Sequence, residues 1–212
     1  MLVACWSSKG GAGTTVVAAA LALSHATEGA LLADLAGDLP IVLGIDDATG
    51  PGLAGWLHAG PEVPLDALAR LERPVAAGVG LLDRGEGDLL PDRADVLATL
   101  LAADDRLVVA DCGSAPSGAA AMVAGAADRS VLVTRPCFVA LQRAGRAAVQ
   151  ASAVVLVDEP GRSLGRRDVE SHLGVPVLAV VETDPGVARA VDAGLLVSRL
   201  PRSLARELRD VA

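Results

Sequence analysis

Aromatic residues are nearly absent from this 212-residue chain: there is no tyrosine, one phenylalanine and two tryptophans. Since 52% of the residues are nonetheless hydrophobic, a core must be assembled from Ala, Val and Leu. Lysine is scarcer still, because Lys9 is the only one and every other basic side chain is arginine. No apolar run approaches the ~18 residues needed to cross a bilayer. No basic segment precedes the first apolar run, which leads directly into a glycine loop, so a secretory leader is not expected. The three cysteines, Cys5, Cys112 and Cys137, have no zinc-site spacing, and an odd, dispersed set suits a reducing cytosol. A net charge of −8 argues against a broad nucleic-acid surface. These absences leave one cytoplasmic α/β domain, residues 1–212, as the expectation.

The single lysine stands in Ser7-Ser8-Lys9-Gly10-Gly11-Ala12-Gly13-Thr14-Thr15. The apolar run Leu2–Trp6 precedes this stretch and a helix-forming segment, Thr14–His25, follows it. A strand, a glycine loop and a helix in that order form a phosphate cradle: backbone N–H groups curl inward and the helix adds its positive dipole end. A plain glycine turn is the alternative.

Short Val/Leu-rich runs alternate with helical segments along the chain. Strands are predicted near 2–7, 30–34, 79–82, 107–111, 130–134, 153–157 and 176–181. Helices are predicted near 14–27, 91–102, 117–127, 138–149, 166–173, 187–194 and 202–211. Several strands are unbroken by polar residues, as expected when both faces are covered, so the fold class is α/β with a mostly parallel sheet and helices on both faces. The Gly- and Pro-rich stretch 44–75 reads as an excursion with short helices at Leu53–His58 and Leu65–Leu71.

Two aspartates end buried-type strands, Asp34 after Ala30–Ala33 and Asp111 after Leu107–Ala110. Ligands of open parallel sheets lie beyond the carboxyl ends of the strands, where a carboxylate beside a phosphate loop can hold Mg²⁺ directly or through water. Thr15, at the start of the helix, offers a hydroxyl to the same ion. A capping or turn role is the alternative for either aspartate.

Lys9–Thr15 resembles the deviant Walker A motif of the ParA/MinD family of P-loop ATPases, usually K-G-G-x-G-K-[ST]. Leu107–Asp111 and the following Cys112-Gly113-Ser114-Ala115-Pro116 resemble that family's Walker B strand and loop. Leu31–Leu35 resembles its Walker A′ strand, Val131–Pro136 its T-x-P segment, and Val180–Ala190 its late P-x-D-x-x-V-x-x-A segment. The likeness runs through nearly the whole chain and is nearest to short relatives of the pilus-locus proteins TadZ and CpaE. It implies a P-loop NTPase fold that binds ATP with Mg²⁺ at Gly10, Gly11, Ala12, Gly13, Thr14 and Thr15, with Arg135, Pro136, Asp158 and Asp184 also around the nucleotide. Asp34 and Asp111 join Thr15 around the metal. Lys9 matches the signature lysine that reaches the partner's phosphates across an ATP-sandwich homodimer.

Three departures accompany the likeness. Thr14 replaces the P-loop lysine, Ala36 replaces the second Walker A′ aspartate that positions the attacking water, and Asp158 replaces an adenine-contacting asparagine. Asp38, two residues beyond Ala36, is the candidate substitute. Losing charge and water positioning together strikes the electrostatic core of phosphoryl transfer, so weak hydrolysis is expected. The function implied is a dimerising positioning or assembly switch that recruits a protein partner. A degenerate scaffold that no longer depends on ATP is one alternative. A dethiobiotin-synthetase-like ligase, with Arg135 and Arg143 as its basic residues, is another. Residues 202–211 place Leu204, Leu208 and Val211 on one face, which reads as packing onto the domain in preference to a membrane or DNA contact.

Overall fold

The computed structural model describes residues 1–46, 50–60 and 63–212. Among them, eight strands form one sheet: β1 (Leu2–Ser7), β2 (Ala30–Asp34), β3 (Arg73–Ala76), β4 (Val79–Leu82), β5 (Leu107–Ser114), β6 (Arg129–Thr134), β7 (Ala153–Asp158) and β8 (Val177–Glu182). Their spatial order is β3-β4-β2-β5-β1-β6-β7-β8, and every neighbouring pair is parallel except β3 with β4. The carboxyl ends of the seven parallel strands therefore share one edge, and the loops that follow them gather there.

Nine α-helices are described: α1 (Thr14–Ser24), α2 (Leu39–Leu43), α3 (Gly52–His58), α4 (Ala94–Ala102), α5 (Gly118–Ala126), α6 (Phe138–Ala144), α7 (Arg166–Leu173), α8 (Pro185–Asp192) and α9 (Arg202–Leu208). Alternation along the strands sends side chains to two cores, one on each face. Leu2, Ala4 and Trp6 of β1, with Val108 and Ala110 of β5, join the face that also holds Leu97 of α4 and Val123 of α5. Val3, Cys5, Val109, Val131 and Val133 join the opposite face with Val17 and Leu21 of α1 and Leu204 and Leu208 of α9. Small side chains allow α1 to lie close to the sheet: Ala18, Ala19, Ala20 and Ala22 are all fully buried.

The predicted strands all form, and the differences are local. β3 adds an antiparallel edge strand inside the stretch read as an excursion, anchored by the Arg73 guanidinium on both Asp83 oxygens at 2.6 and 2.7 Å. Residues 65–71 form two short 3-10 turns where one helix was predicted, and residues 47–49 and 61–62 of that excursion lie outside the described residues. The helix predicted over 138–149 stops at Ala144, where Gly145 follows and Val149 turns inward to be buried. The unpredicted α2 arises from Asp34, which accepts from the N–H groups of Ala36, Gly37 and Leu39. In the C-terminal segment Leu204, Leu208 and Val211 are buried, with α9 against α1 and β8, as its pattern predicted. Among the described residues no helix is long and apolar enough to cross a membrane.

Candidate functional site

β1 ends at Ser7, and the chain turns through Ser8–Gly13 before entering α1. Gly11 at φ 78° and Gly13 at φ 91° take left-handed backbone conformations that L side chains avoid. A side chain at Gly10, Gly11 or Gly13 would project into open space, with no atom of the described residues within 4 Å of its Cβ. Two bonds fix the loop's entry: the Ser7 hydroxyl donates to the Lys9 carbonyl at 3.1 Å, and the Ser8 hydroxyl to the Ala140 carbonyl at 2.7 Å. The Lys9 residue is exposed, and its ammonium forms no ion pair among the described residues. Thr14 is buried at 7% exposure, and half-buried Thr15 follows it on the first turn of α1.

Asp34 and Asp111 stand opposite each other in the β2–β5 register, both fully buried. Their partners differ. Asp34 has both oxygens engaged, Oδ1 by Ala36 and Gly37 and Oδ2 by Leu39, so its carboxylate serves the turn into α2. Asp111 accepts from the Gly113 N–H at Oδ1, while its Oδ2 is buried with no hydrogen-bond partner. Burial pushes Asp34 up to about 7, with Asp111's charge adding to the rise and the three N–H groups opposing it. Burial also pushes Asp111 up to about 6, opposed by the Thr15 side chain and the Gly113 N–H and reinforced by Asp38. A buried carboxylate oxygen with no hydrogen-bond partner, beside a hydroxyl, offers the hard oxygen donors that a divalent cation takes.

Asp38 is exposed at the start of α2. With Ala36 it borders a cavity of about 460 Å³ that Arg84, Gly113 and Ser117 also line. A side chain at Gly113 would meet the Ala36 methyl group at 3.2 Å, so position 36 lies against the end of β5. The structure thus gathers Lys9–Thr15, Asp34, Asp38 and Asp111 at one end of the central strands.

A second cavity, of about 210 Å³, opens beside the glycine loop, lined by Lys9–Ala12, Arg135, Cys137 and Arg162. Pro136 is buried in the turn between Arg135 and Cys137. Asp158 ends β7, where its carboxylate accepts from the Glu159 N–H at 3.0 Å. Asp184 caps α8 through a 2.6 Å bond from the Gly186 N–H and lines a separate cavity with Glu182 and Glu207. Those two aspartates therefore stand at the ends of β7 and β8, to one side of the gathered groups, and do not line the loop cavity. Arg143 lies outside it too, on a neighbouring groove with Phe138 and Arg146. Arg162 and its partner Glu159 were not singled out from sequence; the signal was a charged turn, Glu159-Pro160-Gly161-Arg162, directly after a parallel strand.

Known structures share this architecture over the full chain. The septum site-determining protein MinD of Pyrococcus horikoshii, solved with Mg-ADP, superposes with a TM-score of 0.80 at 21% identity, over 99% of this chain and 93% of that one. The fold is that of the MinD and ParA ATPases. A ParA family ATPase of Chlorobium tepidum gives a TM-score of 0.75 at 18% identity, covering 99% and 97% of the two chains. The ATP complex of Cyanothece McdA(D38A) gives 0.72 at 17%, covering 99% and 93%. No protein-family model matches the chain, and no curated protein sequence does. In the MinD/ParA fold of this chain, the loop after β1 and the two buried aspartates occupy the sheet edge where α/β folds bind their ligands.

Proposed function

We propose that the chain is a ParA/MinD-like nucleotide switch that binds ATP with Mg²⁺, pairs with a second copy and recruits a protein partner to position or assemble it. The observation that carries this reading is the buried, unpartnered Oδ2 of Asp111 beside Thr15 and the glycine loop. The residues present fit the group. Loop N–H groups and the N-terminus of the eleven-residue α1 supply the positive field for phosphate oxygens, and Lys9 supplies a full charge. Thr15 and Asp111 would hold the cation, which neutralises charge between phosphates when bound. Asp34 shapes the turn carrying Ala36 and Asp38 and adds negative potential to the same spot.

Chemistry at this site is slow in our reading. Thr14 places a hydroxyl where a second ammonium would stabilise the charge developing on transferred phosphate, and Ala36 has no group to orient water. Asp38 is the base candidate that remains, held at the cavity rim. Exposed Lys9 is available to a neighbouring copy's phosphates, which couples nucleotide to dimerisation. The test is an ATP titration with and without Mg²⁺, followed by mass in solution. Tight Mg²⁺-dependent binding with a shift from monomer to dimer supports the switch. A protein that binds ATP no better with Mg²⁺ and keeps one mass throughout is instead the degenerate scaffold, which the burial of Thr14 favours.

A further inference from the structure

The chain carries a net charge of −8, yet the mouth of its glycine loop is cationic. Lys9, Arg135 and Arg162 line one cavity of about 210 Å³, approaching from the loops after β1, β6 and β7. Among the described residues a single carboxylate pairs with them. Glu159 bonds Arg162 at 2.6 Å and lies 3.7 Å from Arg135, beyond hydrogen-bond reach. Arg135 keeps its Nε buried without any hydrogen-bond partner. Three cations around one acid leave the cavity short of negative charge, and a guanidinium left half-engaged is set up for a better acceptor.

The surrounding groups feel the same field. Glu159 is held below its ordinary range by the bond from Arg162, then by the charges of Arg162, Arg135 and Lys9. The Cys137 thiol is lowered first by the Ala140 N–H, then by that of Val139, with Lys9 and Arg162 adding to it. Both acidic groups therefore sit within reach of Lys9 and Arg162 together. Thr14, meanwhile, contributes no charge to the loop from its buried position.

We propose that Arg162 and Arg135 supply from the opposite wall the positive charge that Thr14 cannot, and that Glu159 is an internal anion which an incoming polyphosphate displaces. The inference rests on reading the glycine loop as a phosphate site. Guanidinium forks match phosphate oxygens in pairs, and a triphosphate offers more acceptors and more charge than one carboxylate. Exchange of Glu159 for phosphate keeps the Arg162 guanidinium paired throughout, since it passes from one anion to another. Release of Glu159 also frees the turn 159–162, so the presence of polyphosphate is transmitted to the loop after β7.

The test uses the full chain and two probes, inorganic tripolyphosphate and ATP, titrated calorimetrically at low and moderate salt. Glu159→Gln should tighten tripolyphosphate about 3- to 10-fold, the scale of one or two exposed ion pairs removed as competitors. Arg162→Ala should weaken it by a similar factor and flatten the salt dependence, whereas Arg162→Lys should keep most of the salt dependence. The gain from Glu159→Gln should shrink in the Arg162→Ala background, because the two residues act on each other. Unchanged or weaker tripolyphosphate binding in Glu159→Gln overturns the proposal, as does an Arg162→Ala protein with the parent's affinity and salt slope. The two readings fail separately. ATP binding that ignores both substitutions removes the arginine seat and leaves the nucleotide switch standing. Arg162-dependent binding of tripolyphosphate, with ATP no tighter, keeps the seat and removes the switch. Failure of the parent to bind either anion overturns both.

Discussion

Replacing Asp111 by Asn separates the metal role of this residue from a structural one, because the fold itself carries a cost for its charge. Asp111 has a pKa of about 6 in the folded chain against an ordinary 3.8, a rise caused first by burial. At 1.36 kcal/mol for each tenfold change, that rise is a penalty of about 3 kcal/mol on the folded state at pH 8. The sign follows from proton counting. Between about pH 4 and pH 7 the folded chain holds protons that the unfolded chain has released, so stability falls as pH rises through this window. Asp34, at about 7 and on the neighbouring strand, pushes in the same direction, and the two titrate as a pair. Asn keeps an oxygen to accept from Gly113 and removes the charge, but it places an amide N–H₂ where Oδ2 had no partner. That unmet donor returns about 1–2 kcal/mol of the gain. The expected net effect at pH 8, in EDTA and without nucleotide, is a stabilisation of about 1–2 kcal/mol, or roughly 3–6 °C in Tm. At pH 4.5 the parent's carboxylate is protonated when folded, so the advantage should vanish or reverse. Urea melts of both proteins at the two pH values measure this directly. A change in stability equal at both pH values would refute a buried, destabilised charge on Asp111 and with it the reason for expecting a cation there. In the same variant, nucleotide affinity should lose most of its Mg²⁺ dependence.

Lys9→Ala should weaken nucleotide-dependent dimerisation while moving the nucleotide-free melting temperature by less than about 2 °C, since an exposed loop residue rarely contributes more than ~0.5 kcal/mol; sedimentation at saturating ATP checks it, and parent-like dimerisation would exclude the partner-reaching role. Thr14→Lys combined with Ala36→Asp should raise ATP turnover well beyond either single change, because charge and water positioning act as one unit. A parent already hydrolysing ATP as fast as that double variant would remove the premise. Leu208→Ala, at a fully buried position where α9 meets the domain, should cost about 2–4 kcal/mol in urea unfolding. A loss under 1 kcal/mol would mean that α9 is only loosely docked and its apolar face available to other surfaces.

The sequence by itself determined the parallel strands and the glycine loop after β1. Unbroken runs such as Leu107–Ala110 and Ala153–Val157 can be satisfied only between two layers of helices, and glycines at 10, 11 and 13 after such a run mark a local conformation that needs no distant partner. Asp34 was legible as a strand-end carboxylate because the end of an apolar run is a local property, whereas β5, read as ending at Asp111, continues to Ser114. The division of labour between the two aspartates was not legible, because it depends on which N–H groups reach them, and only the fold shows Asp34 satisfied three times over while Asp111 keeps one bare oxygen. The short edge strand β3 was equally hidden, since Arg73 and Pro74 give no apolar alternation and the strand exists by pairing with β4. Arg162 was hidden too, as a single arginine among many at the surface. Tertiary structure decided these matters because they are distances between segments far apart in the chain: the loops after β1, β6 and β7 become neighbours only when the parallel strands align their carboxyl ends on one edge, and alignment of that kind places Lys9 beside Arg162.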